Sequence, residues 1–168
     1  MTHLVLVGLM GAGKTSVGRV CAERLGRPFV DTDDVVEALA QMTVAEIFAA
    51  YGEPRFRELE RQAVADVCAS PAPLVIACGG GVAVDPENRT RLTAAGSVVG
   101  LRARVAVLAA RVGDGATRPL LTPDPRTSLS RLAAAREAAY EAAADVTVDT
   151  GDRTVDEVVD AVLRAFTP

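Results

Sequence analysis

Short apolar runs alternate with longer amphipathic stretches along this chain, and glycine or proline marks most of the changeovers. His3 to Val7 is a compact apolar run that ends in glycines, which predicts a strand, and a helical pattern follows from Lys14 to Leu25. Pro28 to Asp31 predicts a second strand, with a helix from Asp34 to about Ala40. Thr43-Val-Ala-Glu46 has the spacing of a capping box and opens a short helix to Ala50; a longer helix follows from Pro54 to about Ala69. Leu74 to Ala77 predicts a buried strand stopped by Gly79-Gly80-Gly81. Further on, Pro86 to Thr93 and Arg104 to Arg111 predict helices on either side of a strand at Ser97 to Leu101. Residues 112–125 hold two glycines and three prolines and predict an irregular loop. Helix returns from about Ser128 to Ala143, then strand at Val146 to Val148 and helix from Thr154 to Phe166. Alternating strands and helices predict an α/β fold, one parallel sheet with helices on both faces, formed by residues 1–168 as a single domain. Ligands of such sheets bind beyond the carboxyl ends of the strands.

Composition changes this picture little. A chain of 168 residues suits one domain and buries about 70% of its unfolded surface. Aromatics make up only 4% and tryptophan is absent, so Val, Leu, Ile and Ala must build the core. No apolar run reaches the roughly 20 residues of a membrane span, and the N-terminus lacks a basic leader pattern, so a cytoplasmic location without membrane attachment is expected. A net charge of −4 gives no nucleic-acid footprint. Cys21, Cys68 and Cys78 are odd in number and lack metal-ligand spacing, which reads as reduced thiols. Of 18 basic residues, Lys14 is the only lysine. Ammonium and guanidinium are not interchangeable, which draws attention to position 14.

That lysine sits in Gly8-Leu-Met-Gly-Ala-Gly13-Lys14-Thr15, a full G-x-x-x-x-G-K-[ST] match between a predicted strand and helix. Glycines let backbone N–H groups wrap phosphates, and the helix N-terminus favours anions. Lys14 would reach the β- and γ-phosphates and the Thr15 hydroxyl a Mg²⁺ ion. The loop alone does not distinguish ATPase, GTPase, kinase or regulator.

The acceptor side is more open. Asp31-Thr-Asp33-Asp34 lies at the end of the second strand and would hold Mg²⁺ through water or take an acceptor hydroxyl's proton, while helix capping accounts for one of the three carboxylates. Arg57 and Glu60 stand i, i+3 on a helix, which suits either a surface ion pair or a glutamate that orients an arginine towards a substrate carboxylate. The triplet Gly79-Gly80-Gly81 suggests close approach of backbone to ligand, since a tight turn needs one glycine only. The loop at 112–125, with Gly113 and Gly115 as hinges, reads as a lid whose Arg118 reaches a transferring phosphoryl group. Arg136 and Tyr140 stand i, i+4 and by themselves suggest helix-surface packing. His3 at a strand start reads as incidental, and Cys78 as a small core residue near the site.

Taken together, the motifs resemble those of the shikimate kinase family over essentially the whole chain. They are the phosphate loop, D-x-D at Asp31 and Asp33, F-R-x-x-E from Phe56 to Glu60, the glycine triplet, R-P-L-L from Arg118, R-x-x-x-Y from Arg136, and D-T-x-x-R ending at Arg153. The resemblance implies a P-loop NTPase fold of the CMP-kinase type, a three-layer sandwich with a five-stranded parallel sheet and a mobile lid. It implies transfer of phosphate from ATP to shikimate, giving 3-phosphoshikimate on the way to chorismate and the aromatic amino acids, by a monomer. By motif, Gly11, Ala12, Gly13, Lys14, Thr15 and Ser16 would hold the phosphates, with Arg111 and Arg153 beside the adenine. Thr15 and Asp31 would serve Mg²⁺, the latter through water. Lys14, Asp33 and Arg118 would carry the chemistry. Asp33, Arg57, Arg136 and the triplet Gly79, Gly80, Gly81 would bind shikimate. Departures from the family pattern are the missing proline in Glu137-Ala-Ala-Tyr140, Cys78 before the triplet, and the stretch 122–127. A kinase of another polyol acid such as gluconate, or a nucleotide-dependent regulator, are the competing readings.

Overall fold

A computed structural model describes residues 2–115, 118–121 and 123–166. Five strands, β1 (His3–Val7), β2 (Phe29–Asp31), β3 (Val75–Ala77), β4 (Gly96–Arg102) and β5 (Val146–Asp149), pair in parallel in the order β2-β3-β1-β4-β5. Helices α1 (Lys14–Leu25), α2 (Thr32–Ala40), α3 (Val44–Cys68), α4 (Pro86–Ala95), α5 (Val105–Val112), α6 (Pro125–Ala143) and α7 (Val155–Ala165) connect and cover them. The expected parallel α/β sandwich is therefore present, with its five strands.

β1 lies at the centre, with Val5 opposite Ile76 on one side and Val98 on the other. Side chains of a strand alternate between faces. Leu4 and Leu6 join the core that contains α1 and α7, whereas Val5 and Val7 join the core that contains Val64, Leu92 and Val82. Both faces are buried, which is why β1 is an unbroken apolar run. A third cluster, Val36, Ile47, Phe56 and Ala63, packs α2 onto α3.

The sheet order has a consequence for function. β1 and β3 are neighbours, so the phosphate loop leaving β1 and the glycine triplet leaving β3 emerge side by side. β2 lies beyond β3 and brings Asp31 to the same edge.

Several expectations need adjustment. α2 starts at Thr32, because the Asp31 side chain accepts from the Asp33 N–H at 3.0 Å and caps the helix there. The two helices expected around residues 43–69 form one element interrupted at Gly52 (φ 77°, ψ 176°), whose conformation breaks the helical path ahead of Pro54. α6 begins at Pro125, three positions before the expected Ser128, with Asp124 as its cap and proline in the first turn. The presumed lid is partly built: Pro119–Leu121 form a 3₁₀ turn and Leu121 is fully buried. Residues 116, 117 and 122 of that segment lie outside the described residues. His3 is not incidental. It is buried, and its Nδ1 accepts from the Leu74 N–H at 3.0 Å, tying the start of β1 to the segment leading into β3. Among the described residues no single helix is long and apolar enough to cross a bilayer.

Candidate active site

The phosphate loop runs from the end of β1 to the start of α1. Gly13 caps α1 in the left-handed region (φ 97°), and a side chain on Gly8 would overlap the Leu101 carbonyl, so these two positions require glycine. Lys14 is buried. Its Nζ donates to the Gly8 and Leu9 carbonyls at 2.7 and 3.0 Å. Burial lowers its pKa to about 8, against the pull of Asp33 and Asp31 in the other direction. The Thr15 hydroxyl donates to Asp31 Oδ2 at 2.9 Å. Arg111 fastens the loop to the end of β5, with Nη1 on Gly11 O (3.1 Å) and Thr150 Oγ1 (3.0 Å) and Nη2 on Thr150 O (2.7 Å).

A cavity of about 350 Å³ opens over this loop, lined by Gly11, Gly13, Lys14, Thr15, Ser16 and Arg111 among others. Ala12 is brought to the loop but not to the cavity: its N–H is spent on Leu9 O at 3.1 Å and its side chain is buried. Arg153 is exposed on the turn after β5 and does not line the cavity either. Cys78 does line it, and burial pushes its thiol well above the ordinary range, so it stays neutral.

The carboxylates after β2 divide their work. Asp31 is both helix cap and partner of Thr15. Asp33 caps nothing: its Oδ1 is buried without a hydrogen-bond partner among the described residues. Burial pushes its pKa up to about 6, helped by Asp31 and Glu60 and opposed by Lys14 and Arg118. Asp34 is exposed.

A second cavity of about 260 Å³ lies between α2, α3, the triplet and α6. Arg57 Nη1 donates to Glu60 Oε1 at 2.8 Å, while Nη2 and Nε reach Glu53 at 3.0 and 3.3 Å. Glu60 is 1% exposed, which decides against a surface ion pair: the glutamate is a buried brace for the guanidinium. Arg136 is likewise buried, and its Nη1 has no partner among the described residues, so helix-surface packing does not describe it. Phe48 and Phe56, with ring centroids 4.8 Å apart, belong to its apolar wall together with Val44 and Leu120.

The triplet explains itself in this setting. None of its glycines has a positive φ, so turn geometry is not the requirement. A Cβ at Gly79 would stand 2.5 Å from Asp33 Oδ1, one at Gly80 would stand 3.2 Å from Arg136 Nη1, and one at Gly81 would stand 2.7 Å from Arg57 Cζ. Each glycine makes room for one of the three charged side chains, which is the close approach the sequence suggested.

The two cavities share one wall. Met10, Asp33, Gly80 and Arg118 line both. Met10 escaped sequence reasoning because it occupies a variable position of the loop motif. Tyr140, which its spacing alone assigned to helix-surface packing, instead donates its hydroxyl to the Gly80 carbonyl, a long-range contact that no local pattern announces.

A parallel sheet bearing a phosphate loop, with a carboxylate- and arginine-lined acceptor cavity across a shared wall, defines a P-loop phosphotransferase acting on a small molecule. The family model for shikimate kinase matches residues 10–167. A shikimate kinase of Symbiobacterium thermophilum is 55% identical over 137 residues, which is 80% of this chain and 78% of that protein. The structure of shikimate kinase from Acinetobacter baumannii in complex with shikimate superposes with a TM-score of 0.94 at 34% identity, covering 98% of this chain and 92% of that one. The chain belongs to the shikimate kinase family. A gluconokinase from Sinorhizobium meliloti shares the fold, with a TM-score of 0.63 at 22% identity over 98% of this chain and 90% of that one.

Proposed function

We propose that the chain transfers the γ-phosphoryl group of ATP to the 3-hydroxyl of shikimate, giving ADP and 3-phosphoshikimate, the step that leads towards chorismate. The observation that carries this reading is the shared wall. It sets Asp33 and Arg118 between a phosphate-binding cavity and an acceptor cavity.

Phosphoryl transfer needs positioning and charge stabilisation more than covalent chemistry. Lys14 exchanges its loop carbonyls for β- and γ-phosphate oxygens, while the backbone of Gly11 and of Gly13 to Ser16 cradles the phosphates, Ala12 holding the loop's shape through its bond to Leu9. Arg111 and Arg153 flank the adenine. The Thr15 hydroxyl and Asp31 carboxylate offer two hard oxygens on one spot. They would hold Mg²⁺, Thr15 directly and Asp31 through water. When bound, the ion neutralises charge on the β- and γ-phosphates.

On the acceptor side, Arg136 and Arg57 grip the shikimate carboxylate, with Glu60 holding Arg57 in place. Gly79, Gly80 and Gly81 let the ring approach the backbone. Asp33 orients the 3-hydroxyl and takes its proton as the new O–P bond forms. Arg118 stabilises charge on the transferring group, and closure of residues 112–125 excludes water. The chain acts as a single domain, a monomer, in the cytoplasm.

The test is phosphate transfer from [γ-³²P]ATP with shikimate, gluconate or no acceptor. Transfer to shikimate alone is expected. Preferential transfer to gluconate, or hydrolysis without an acceptor product, would overturn the reading.

A further inference from the structure

Every carbonyl of the glycine triplet is taken inside the protein, but not in the same way. Gly79 O accepts from Val82 N–H at 3.1 Å and Gly81 O from Val84 N–H at 3.0 Å, both within the local 3₁₀ turn. Gly80 O accepts from the Tyr140 hydroxyl, 60 positions away on α6. The Gly79 N–H is spent on Thr32 Oγ1 at 2.8 Å. The N–H groups of Gly80 and Gly81 have no partner among the described residues, and both glycines line the acceptor cavity. The triplet therefore meets an acceptor as a donor surface with no competing carbonyl.

Tyr140 maintains that state. A trans peptide is planar, with C=O and N–H pointing in opposite directions. Fixing the Gly80 carbonyl on α6 fixes the Gly81 N–H away from α6. The same phenol lies one turn beyond Arg136, which draws the hydroxyl's pKa down against the rise that burial imposes. Arg136 in turn stands against Gly80. Gly80, the phenol and Arg136 thus form one cluster at the edge of the acceptor cavity. The ring packs against both main cores, so packing holds the ring and leaves the hydroxyl free to act on the cluster.

We infer that Tyr140 is a positioning residue for the acceptor site, setting the Gly80–Gly81 peptide and the Arg136 guanidinium without touching the substrate. The inference rests on the shikimate reading for its kinetic consequence only. Tyr140→Phe keeps the ring and removes the bond. The KM for shikimate should rise about 3- to 10-fold, the range set by one neutral hydrogen bond, while the KM for ATP stays within twofold. Replacing Tyr140 by p-aminophenylalanine restores a donor and should bring the shikimate KM back towards the starting value. A purely structural role would raise both KM values together or lower only the melting temperature; either result, or an unchanged shikimate KM, overturns the inference. Amide hydrogen exchange of the substrate-free protein provides a readout independent of the reaction. Val82 and Val84 amides should exchange faster in Tyr140→Phe. If the unaltered chain fails to phosphorylate shikimate, this exchange decides alone, and equal protection in both proteins overturns the inference.

Discussion

Asp33→Asn should make the substrate-free protein more stable near neutral pH while removing its turnover. The carboxyl is held among protein atoms, with Oδ1 unpartnered among the described residues, and its pKa stands at about 6 in place of the ordinary 3.8. One pK unit corresponds to about 1.4 kcal/mol, so ionising Asp33 in the folded chain costs about 3 kcal/mol that the unfolded chain does not bear. The sign follows from linkage. The penalty is fully present above pH 6, shrinks as pH falls towards 3.8, and vanishes below that, where both states are protonated. Asparagine has nearly the same shape and no charge, so a gain of about 2–3 kcal/mol is expected at pH 7.5. For a domain of this size, 1 kcal/mol moves the midpoint by about 2–4 °C, which gives a rise of about 4–12 °C. Circular-dichroism melts in EDTA, at pH 7.5 and pH 4, measure it; the gain should nearly disappear at the lower pH. A lower midpoint at pH 7.5, or a gain that does not change with pH, would refute the reasoning. The cost is tolerated because a carboxylate with a near-neutral pKa suits proton transfer.

The same group sets the activity profile: kcat/KM should fall below about pH 6 as Asp33 protonates, and above about pH 8 in the free enzyme as Lys14 loses its proton. A flat profile between pH 5 and 7 removes Asp33 from acid–base work. Gly81→Ala places a Cβ against the Arg57 guanidinium and should raise the shikimate KM by about tenfold or more, the cost of misplacing a charge-assisted bond, with the ATP KM unchanged; equal effects on both substrates would place Arg57 outside the acceptor site. His3→Leu leaves the buried Leu74 N–H without an acceptor, at a cost of about 1–3 kcal/mol. A lower melting temperature with normal turnover at 25 °C is expected, and an unshifted midpoint contradicts the role.

The sequence by itself determined the alternation of strands and helices and the phosphate loop, because each is encoded by neighbouring residues. β1 is buried on both faces and reads as an apolar run; the loop from Gly8 to Thr15 is one contiguous segment whose glycines, lysine and threonine are all needed at fixed spacing. Segment ends were less legible: Asp31 and Asp124 cap α2 and α6 ahead of the expected starts, since a cap depends on where a side chain turns. Motif order brought Asp33, Arg57, Arg118 and Arg136 to notice, yet it left the aspartates undivided and the Arg57–Glu60 pair ambiguous. Only the tertiary structure decided that Asp31 caps while Asp33 Oδ1 has no hydrogen-bond partner among the described residues, that Glu60 is buried, and that His3 and Tyr140 hold distant backbone atoms. The physical reason is desolvation. Whether a polar group is a surface ornament or a reactive, unsatisfied partner depends on what covers it, and here the cover comes from strands and helices far away along the chain.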